Sequence, residues 1–261
     1  MAKIHSSLNL TELNSAQHKA VENCQGPLLV KAGPGTGKTR TLTTKIAYLL
    51  DQKIAKPKQI IALTFTNKAA REMVQRVKKL TGRTRLPFMG TFHQSALDQL
   101  GLDADLIVSK PVQKRLIRSA VKAAGFNLDQ RQLKAAQLKI SKYKNQTISK
   151  LSASWQDVFQ HYQQALKKRK LVDFDDLLIK LLEEIEPEHN YQYVLVDEFQ
   201  DLNPIQYQII KKLSLESDQL FAIGDPLQAI YGFRGADSQV FDQLKKDFSD
   251  LETLTLTKNY R

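Results

Sequence analysis

The stretch AGPGTGKT, residues 32–39, decides how the rest of the chain is read. It fits the pattern G-x-x-x-x-G-K-[ST], with Ala32 in the first place. Before it comes GPLLVKAG (26–33), an apolar run that reads as a buried strand. After it comes TRTLTTKIAYLLDQ (39–52), where Leu42, Ile46, Leu49 and Leu50 fall on one face of a helix. Between a strand and a helix, glycines let successive backbone N–H groups turn inward around phosphate oxygens, and the helix N-terminus adds a favourable dipole. Lys38 is then placed to reach the β- and γ-phosphates of a nucleotide, and Thr39 to offer its hydroxyl to Mg2+.

A second stretch, VLVDEFQD (194–201), completes that chemistry. Four apolar residues make a buried strand, and Asp197 stands at its carboxyl end, the edge at which open parallel sheets bind ligands. Asp197 suits Mg2+, and Glu198 suits the orientation and deprotonation of an attacking water. Alone, the pair also reads as two exposed carboxylates at a strand end. With a phosphate loop about 160 residues upstream it points to nucleoside triphosphate hydrolysis. The third stretch, IGDPLQAIYGFRGAD (223–237), follows another strand. Asp225 caps its turn, and Gln228 is a polar group able to sense a terminal phosphate. Tyr231, Phe233 and Arg234, set among glycines, suit stacking on bases with a phosphate contact. They equally suit a loop packed by its own aromatics.

Around these stretches, apolar runs alternate with helical patterns. QIIALTFT (59–66) reads as a strand and NKAAREMVQRVKKL (67–80) as a helix, with Asn67 as its N-cap. YVLVDEF (193–199), QLFAIGD (219–225) and LETLTLT (251–257) read as further strands. Continuous apolar strands alternating with helices imply a parallel sheet covered on both faces. The middle of the chain is different. Residues 109–172 carry no convincing strand, while PVQKRLIRSAVKAAG (111–125), closed by Gly125, and SWQDVFQHYQQALKKRK (154–170) read as helices. Trp155, Val158, Phe159, Tyr162, Ala165 and Leu166 form one stripe, read as a helical core rather than a base-stacking platform. The expected fold is therefore α/β, a P-loop NTPase (RecA-like) parallel sheet with an inserted all-helical subdomain. Residues 1–108 and 172–261 would form the discontinuous ATP-binding domain, and 109–171 the insertion.

The 261 residues are 42% hydrophobic and 25% charged, which suits a soluble globular protein with a real core. The formal net charge is +12, and its distribution is uneven. Residues 110–170 hold fifteen of the 39 Lys and Arg against only Asp129 and Asp157, so the whole excess lies there. A localised basic block points to a polyanion, usually nucleic acid. A solvated lysine-rich helical surface is the other reading of the same charges. Cys24 is the only cysteine, so no internal disulfide forms and a reducing compartment is expected. No apolar run reaches the ~18–20 residues of a membrane span, and the N-terminus lacks the apolar stretch of a signal peptide. A cytoplasmic protein, or a nuclear one in a eukaryote, is the expectation, without a membrane partner.

Taken in order, these motifs resemble those of the superfamily 1A DNA helicases, the UvrD/PcrA/Rep family, over nearly the whole chain. LNSAQHKAV (13–21) resembles the family's adenine-reading glutamine motif. ALTFTNKAAREM (62–73) and GTFHQSAL (90–97) resemble motifs Ia and Ib, and DFDDLL (173–178) the acidic helix start after the inserted subdomain. VDEFQDLNPIQ and GDPLQAIYGFRGAD resemble motifs II and III, and the closing LTLTKNYR the start of motif IV.

The resemblance implies roles. Gln17 would bind the adenine edge, with Arg40 near the base or ribose and Tyr260 stacked on the adenine. Ala32, Gly33, Pro34, Gly35, Thr36, Gly37, Lys38 and Thr39 would cradle the phosphates of ATP. Thr39 and Asp197 would hold Mg2+, Glu198 would serve the water, and Arg261 would reach the γ-phosphate. Gln228 would link γ-phosphate state to the DNA groove. That groove would be lined by Phe65, Asn67, Thr91, His93, Tyr231, Phe233 and Arg234. Two positions depart from the family's habit: Ala229 stands where serine is common, and Phe233 where tryptophan is common. The implied activity is ATP-driven 3′ to 5′ translocation on single-stranded DNA, with unwinding of a duplex carrying a single-stranded tail. Only the first RecA-like domain is recognisable, so a second one, in cis or in trans, is expected to complete the cleft. Two other readings stay open: a short stand-alone ATP- and DNA-binding protein, and the motor half of a helicase–nuclease.

Overall fold

The computed structural model describes residues 8–186, 191–228 and 240–261. Among these, six strands form one sheet: β1 (Leu28–Ala32), β2 (Ile60–Thr64), β3 (Phe88–Thr91), β4 (Tyr193–Val196), β5 (Gln219–Gly224) and β6 (Glu252–Leu256). Their order across the sheet is β3-β2-β4-β5-β1-β6. Every pairing is parallel. The apolar runs read as strands are present, each trimmed at one or both ends.

Period-two alternation sends neighbouring side chains to opposite faces. Leu29, Ile61, Leu63, Val194, Val196, Leu220 and Ala222 pack on one face. There they meet α4 (Phe92–Leu100), α8 (Phe174–Glu184), α9 (Pro204–Ser214) and α10 (Val240–Asp247). Leu28, Val30, Ile60, Ala62, Leu195, Phe221 and Ile223 point the other way. They pack under α1 (Ser15–Glu22), α2 (Lys38–Asp51) and α3 (Asn67–Thr81). With both faces covered, the central strands have no polar side to show, hence their unbroken apolar runs. Each leucine buried this way contributes roughly 1.5–3 kcal/mol. The edge strand β6 turns only Leu254 and Leu256 inward.

Three local readings need correction or addition. The N-cap of α3 is Thr66, whose hydroxyl accepts the N–H of Ala69 at 3.1 Å; Asn67 is the first helical residue. Thr66 takes the cap because its extended backbone turns the hydroxyl toward the first helical turn. The short strand β3 and the helix α6 (Gln130–Lys144) are additional elements.

With α5 (Lys110–Ala123) and α7 (Ala153–Lys168), α6 forms a small bundle with its own core. That core includes Leu116, Ile117, Leu133, Ile140, Val158, Tyr162 and Leu166, with Trp155 and Phe159 packed against it. The aromatic stripe of α7 is thus core. The chain leaves for the bundle and returns from it side by side: the N–H of Val108 donates to Val172 O at 2.8 Å, and that of Val172 to Leu106 O at 2.9 Å.

A buried polar cluster seats the bundle on α8. Lys144 Nζ lies 2.6 Å from Asp173 and 2.8 Å from Asp176, and Tyr162 donates to Asp173 at 2.8 Å. Asn145 donates to Asp175 at 2.7 Å and accepts from Asn203, the N-cap of α9, at 3.0 Å. Burial works against the Asp173 anion, but the Lys144 ammonium and its hydrogen bonds outweigh it and hold this carboxyl below its usual range. Burial, reinforced by the Asp173 charge, pushes Asp175 the other way, up to about 6. Lys144 therefore leaves the solvated basic surface that composition alone assigned to it.

Candidate active site

The phosphate loop connects β1 to α2. Gly35 and Gly37 have φ of +76° and +88°, a left-handed geometry that strains other residues. Gly37 is the N-cap of α2 and contributes no side-chain bond, so α2 opens with N–H groups that no capping side chain occupies. Two braces shape the loop. Thr36 donates its hydroxyl to Gly33 O at 2.7 Å. Gln17, 1% exposed, donates Nε2 to Thr36 O at 3.0 Å and accepts the N–H of Asn14 at 3.1 Å. A Cβ on Gly37 would meet Gln17 Nε2 at 2.7 Å. Gln17 therefore faces the loop from behind, with its amide committed to loop and helix cap.

In front of the loop lies a polar cavity of about 340 Å³. Its lining brings together Gly33, Pro34, Gly35, Gly37, Lys38, Thr39 and Arg40 with Arg76, Glu198, Gln228 and Arg261. Lys38 Nζ is 3.9 Å from Glu198 Oε2. Asp197 follows β4, its N–H bonded to Leu63 O at 2.9 Å, and is 3% exposed. Burial, then the neighbouring Glu198 charge, pushes its carboxyl up to about 7. Its Oδ1 is buried with no hydrogen-bond partner. An orphaned carboxylate oxygen is costly unless something is meant to meet it, and it fits a hard cation. Among the described residues no group of three or more His, Cys, Asp or Glu is arranged to hold a metal ion.

Glu198 has φ of +50°, unusual for a residue with a side chain. Such strain is concentrated at functional sites. At the end of the neighbouring strand, Asp225 leaves β5 and is 2% exposed. Its Oδ1 accepts the N–H of Leu227 at 3.0 Å, and its carbonyl that of Gln228 at 3.0 Å.

The segment after β6 returns to the loop. The N–H of Tyr260 donates to Gly35 O at 2.9 Å, and its hydroxyl accepts from Asn14 at 2.8 Å. Arg261 donates its N–H to Asn259 Oδ1 at 2.8 Å. Arg40 pairs with Glu12 on the same side.

Four of the residues expected to line a groove, Phe65, Asn67, Thr91 and His93, sit at the ends of two paired strands, β2 and β3, with Thr64 opposite Thr91. Phe65 and Asn67 follow β2. Thr91 spends its hydroxyl as the N-cap of α4, accepting from Gln94 at 3.3 Å. His93 packs edge-on against Phe174 with centroids 5.0 Å apart. Burial lowers its pKa, partly offset by a bond to the Phe174 backbone. Beside them, Asn67, Arg71, Met89 and Gln94 line a cavity of about 350 Å³. Ala229, Tyr231, Phe233 and Arg234 lie outside the described residues.

A phosphate loop, an acid pair at the end of a central strand and a third polar turn thus meet at one sheet edge. The model of the UvrD/REP helicase N-terminal domain matches residues 13–249. The chain belongs to this family.

The ATP-dependent DNA helicase PcrA of Staphylococcus aureus (strain Mu50) is 37% identical over 282 aligned residues, covering 97% of this chain and 38% of that protein. PcrA of Staphylococcus epidermidis is 37% identical over 95% of this chain. A probable DNA helicase II homolog of Mycoplasma capricolum is 36% identical over 95% of this chain and 39% of its own length. The chain spans under two fifths of the length of these relatives. Within this UvrD/REP-type domain, sequence motifs located the loop, the acid pair and Gln228. They passed over Asn14, Arg76 and Gln200. Asn14 had a signal, the N-x-x-Q capping box it forms with Gln17. Arg76 lies on the polar face of α3, and nothing local marks it.

Proposed function

We propose that this chain is the ATP-binding and hydrolysing motor domain of a UvrD-like DNA helicase, coupling hydrolysis to 3′ to 5′ movement on single-stranded DNA. One observation carries the reading: Lys38, Glu198 and Gln228 share one polar cavity with the glycine loop, and the partnerless oxygen of Asp197 stands beside it at the same sheet edge. The triphosphate would lie on the backbone N–H groups of Gly35–Thr39, with Lys38 against the β- and γ-phosphates. Thr39 and Asp197 would hold Mg2+, which when bound offsets charge on the phosphate oxygens. Glu198 would accept a proton from water aligned with the γ-phosphate, and Gln228 would report that phosphate's presence to the groove. Arg40 and Tyr260 would flank the base, and Arg261 would reach the γ-phosphate. Gln17, which also braces the loop, would bind the adenine edge.

The DNA groove would run across Phe65, Asn67, Thr91 and His93 toward the motif III aromatics. Residues 109–171 would be the basic inserted subdomain, and 1–108 with 172–261 the RecA-like domain. A second RecA-like domain would close the cleft and supply further arginines. No helix of the described residues is long and apolar enough to cross a membrane, and a cytoplasmic setting belongs to the same reading. The test is DNA-stimulated ATP turnover by the native protein carrying this domain. Lys38→Ala should lower it by about 10²-fold or more with the fold intact by circular dichroism. Unchanged turnover would sink the reading.

A further inference from the structure

Gln200 lies in a short turn, Phe199–Asp201, directly after the acid pair. It is 2% exposed, and both ends of its amide are engaged. Nε2 donates to Glu198 Oε2 at 2.8 Å. Oε1 accepts the N–H of Asp225 at 2.9 Å. These partners define the amide's orientation without ambiguity. A carboxylate only accepts and a backbone N–H only donates, so a flipped amide would lose both bonds. Gly224 makes the approach possible. A Cβ there would meet Gln200 Oε1 at 2.6 Å and the backbone nitrogens of Phe199 and Gln200 at 3.1 and 3.2 Å. Two strand ends are thus drawn together around one side chain.

We propose that Gln200 is a positioning residue: it sets the Glu198 carboxylate for the attacking water and ties that setting to the Asp225–Gln228 turn. The inference rests on the hydrolytic reading above. A general base acts only within hydrogen-bond reach of the proton it takes, and a misplacement of about 1 Å costs on the order of 10²-fold. Glu198 has three side-chain torsions, and Gln200 clamps one of its two carboxylate oxygens. A shift of the Asp225–Gln228 turn reaches that oxygen through two hydrogen bonds in series.

Gln200→Glu separates positioning from packing. It has the same shape and keeps an acceptor for the Asp225 N–H, but once ionised puts an oxygen where Glu198 needs a donor, so turnover is read at alkaline pH, where the new carboxyl has lost its proton. Gln200→Leu removes both bonds. In the native protein with ATP and Mg2+, Gln200→Glu should lower kcat about 10–100-fold with KM for ATP within about twofold. Amide hydrogen exchange without nucleotide should show Asp225 still protected in Gln200→Glu and deprotected in Gln200→Leu. An active parent with Gln200→Glu turning over equally well overturns this inference alone. So does loss of Asp225 protection in Gln200→Glu, which would make the residue a packing element. A parent that does not hydrolyse ATP sinks the hydrolytic reading, and this inference with it. The isosteric variant keeps the test decisive even where Gln200→Leu fails to fold.

Discussion

Glu198 holds a backbone conformation that its side chain disfavours, and it does so beside Lys38 at the mouth of the phosphate cavity. A left-handed residue with a Cβ carries roughly 1–2 kcal/mol of strain. Glu198→Gly and Glu198→Ala both delete the carboxylate, but only glycine releases the backbone. In urea denaturation, Glu198→Gly should therefore be more stable than Glu198→Ala by about 1 kcal/mol, while neither variant turns over ATP. Equal stabilities would show that the turn carries no strain. Much of the site was legible at this scale, because Lys38, Thr39, Asp197 and Glu198 belong to short motifs whose spacing is itself the chemistry. Gln200 and Arg76 were not. Their places depend on which strand ends and helix faces come together in space, and no local pattern encodes that β4 and β5 are neighbours.

At the scale of elements, the long buried strands and amphipathic helices followed from periodicity, whereas β3 did not. Its four residues, FMGT, include a glycine and are too few to alternate visibly. The helix α6 was within reach, since Leu133, Ala136 and Ile140 lie on one face and Asp129 and Gln132 form a capping box. The corrected cap of α3 is testable. Thr66→Ala should cost about 1 kcal/mol of stability, and Asn67→Ala no more than about 0.5, by chemical denaturation. The seat of α6 on α8 should give a pH signature. Asp175 is faced by Asp173 and Lys144 and hydrogen-bonded by Asn145 and Ser141, and its folded carboxyl sits at about 6, above the ~3.9 of an unfolded aspartate. The folded chain then binds the proton more tightly, so stability falls as pH rises from about 4 to about 6 and stays lower above that. Asp175→Asn should raise stability by about 1–2 kcal/mol at pH 7.5 and little at pH 4, measured by thermal melts across that range. A gain independent of pH would mean that the carboxyl is not the source.

For the molecule as a whole, composition gave the class and left the basic block open between a polyanion site and a solvated surface, and the fold refined which charges count. Lys144 is buried in an ion-pair cluster and drops out of the footprint. Lys167, Lys168, Arg169 and Lys170 are exposed together at the end of α7. Neutralising these four should lower the slope of log affinity against log salt for single-stranded DNA by up to about 3, with an unchanged slope marking them as a solvated face. The paired backbones at Leu106–Val108 and Val172 carry a further consequence. An excursion whose ends stand one hydrogen bond apart asks almost nothing of the sheet it interrupts. Doubling its length would add only about 0.6 kcal/mol of closure entropy. The bundle is in effect a cartridge on a fixed socket. Its length and charge can change at little cost to the strand ends that shape the polar cavity.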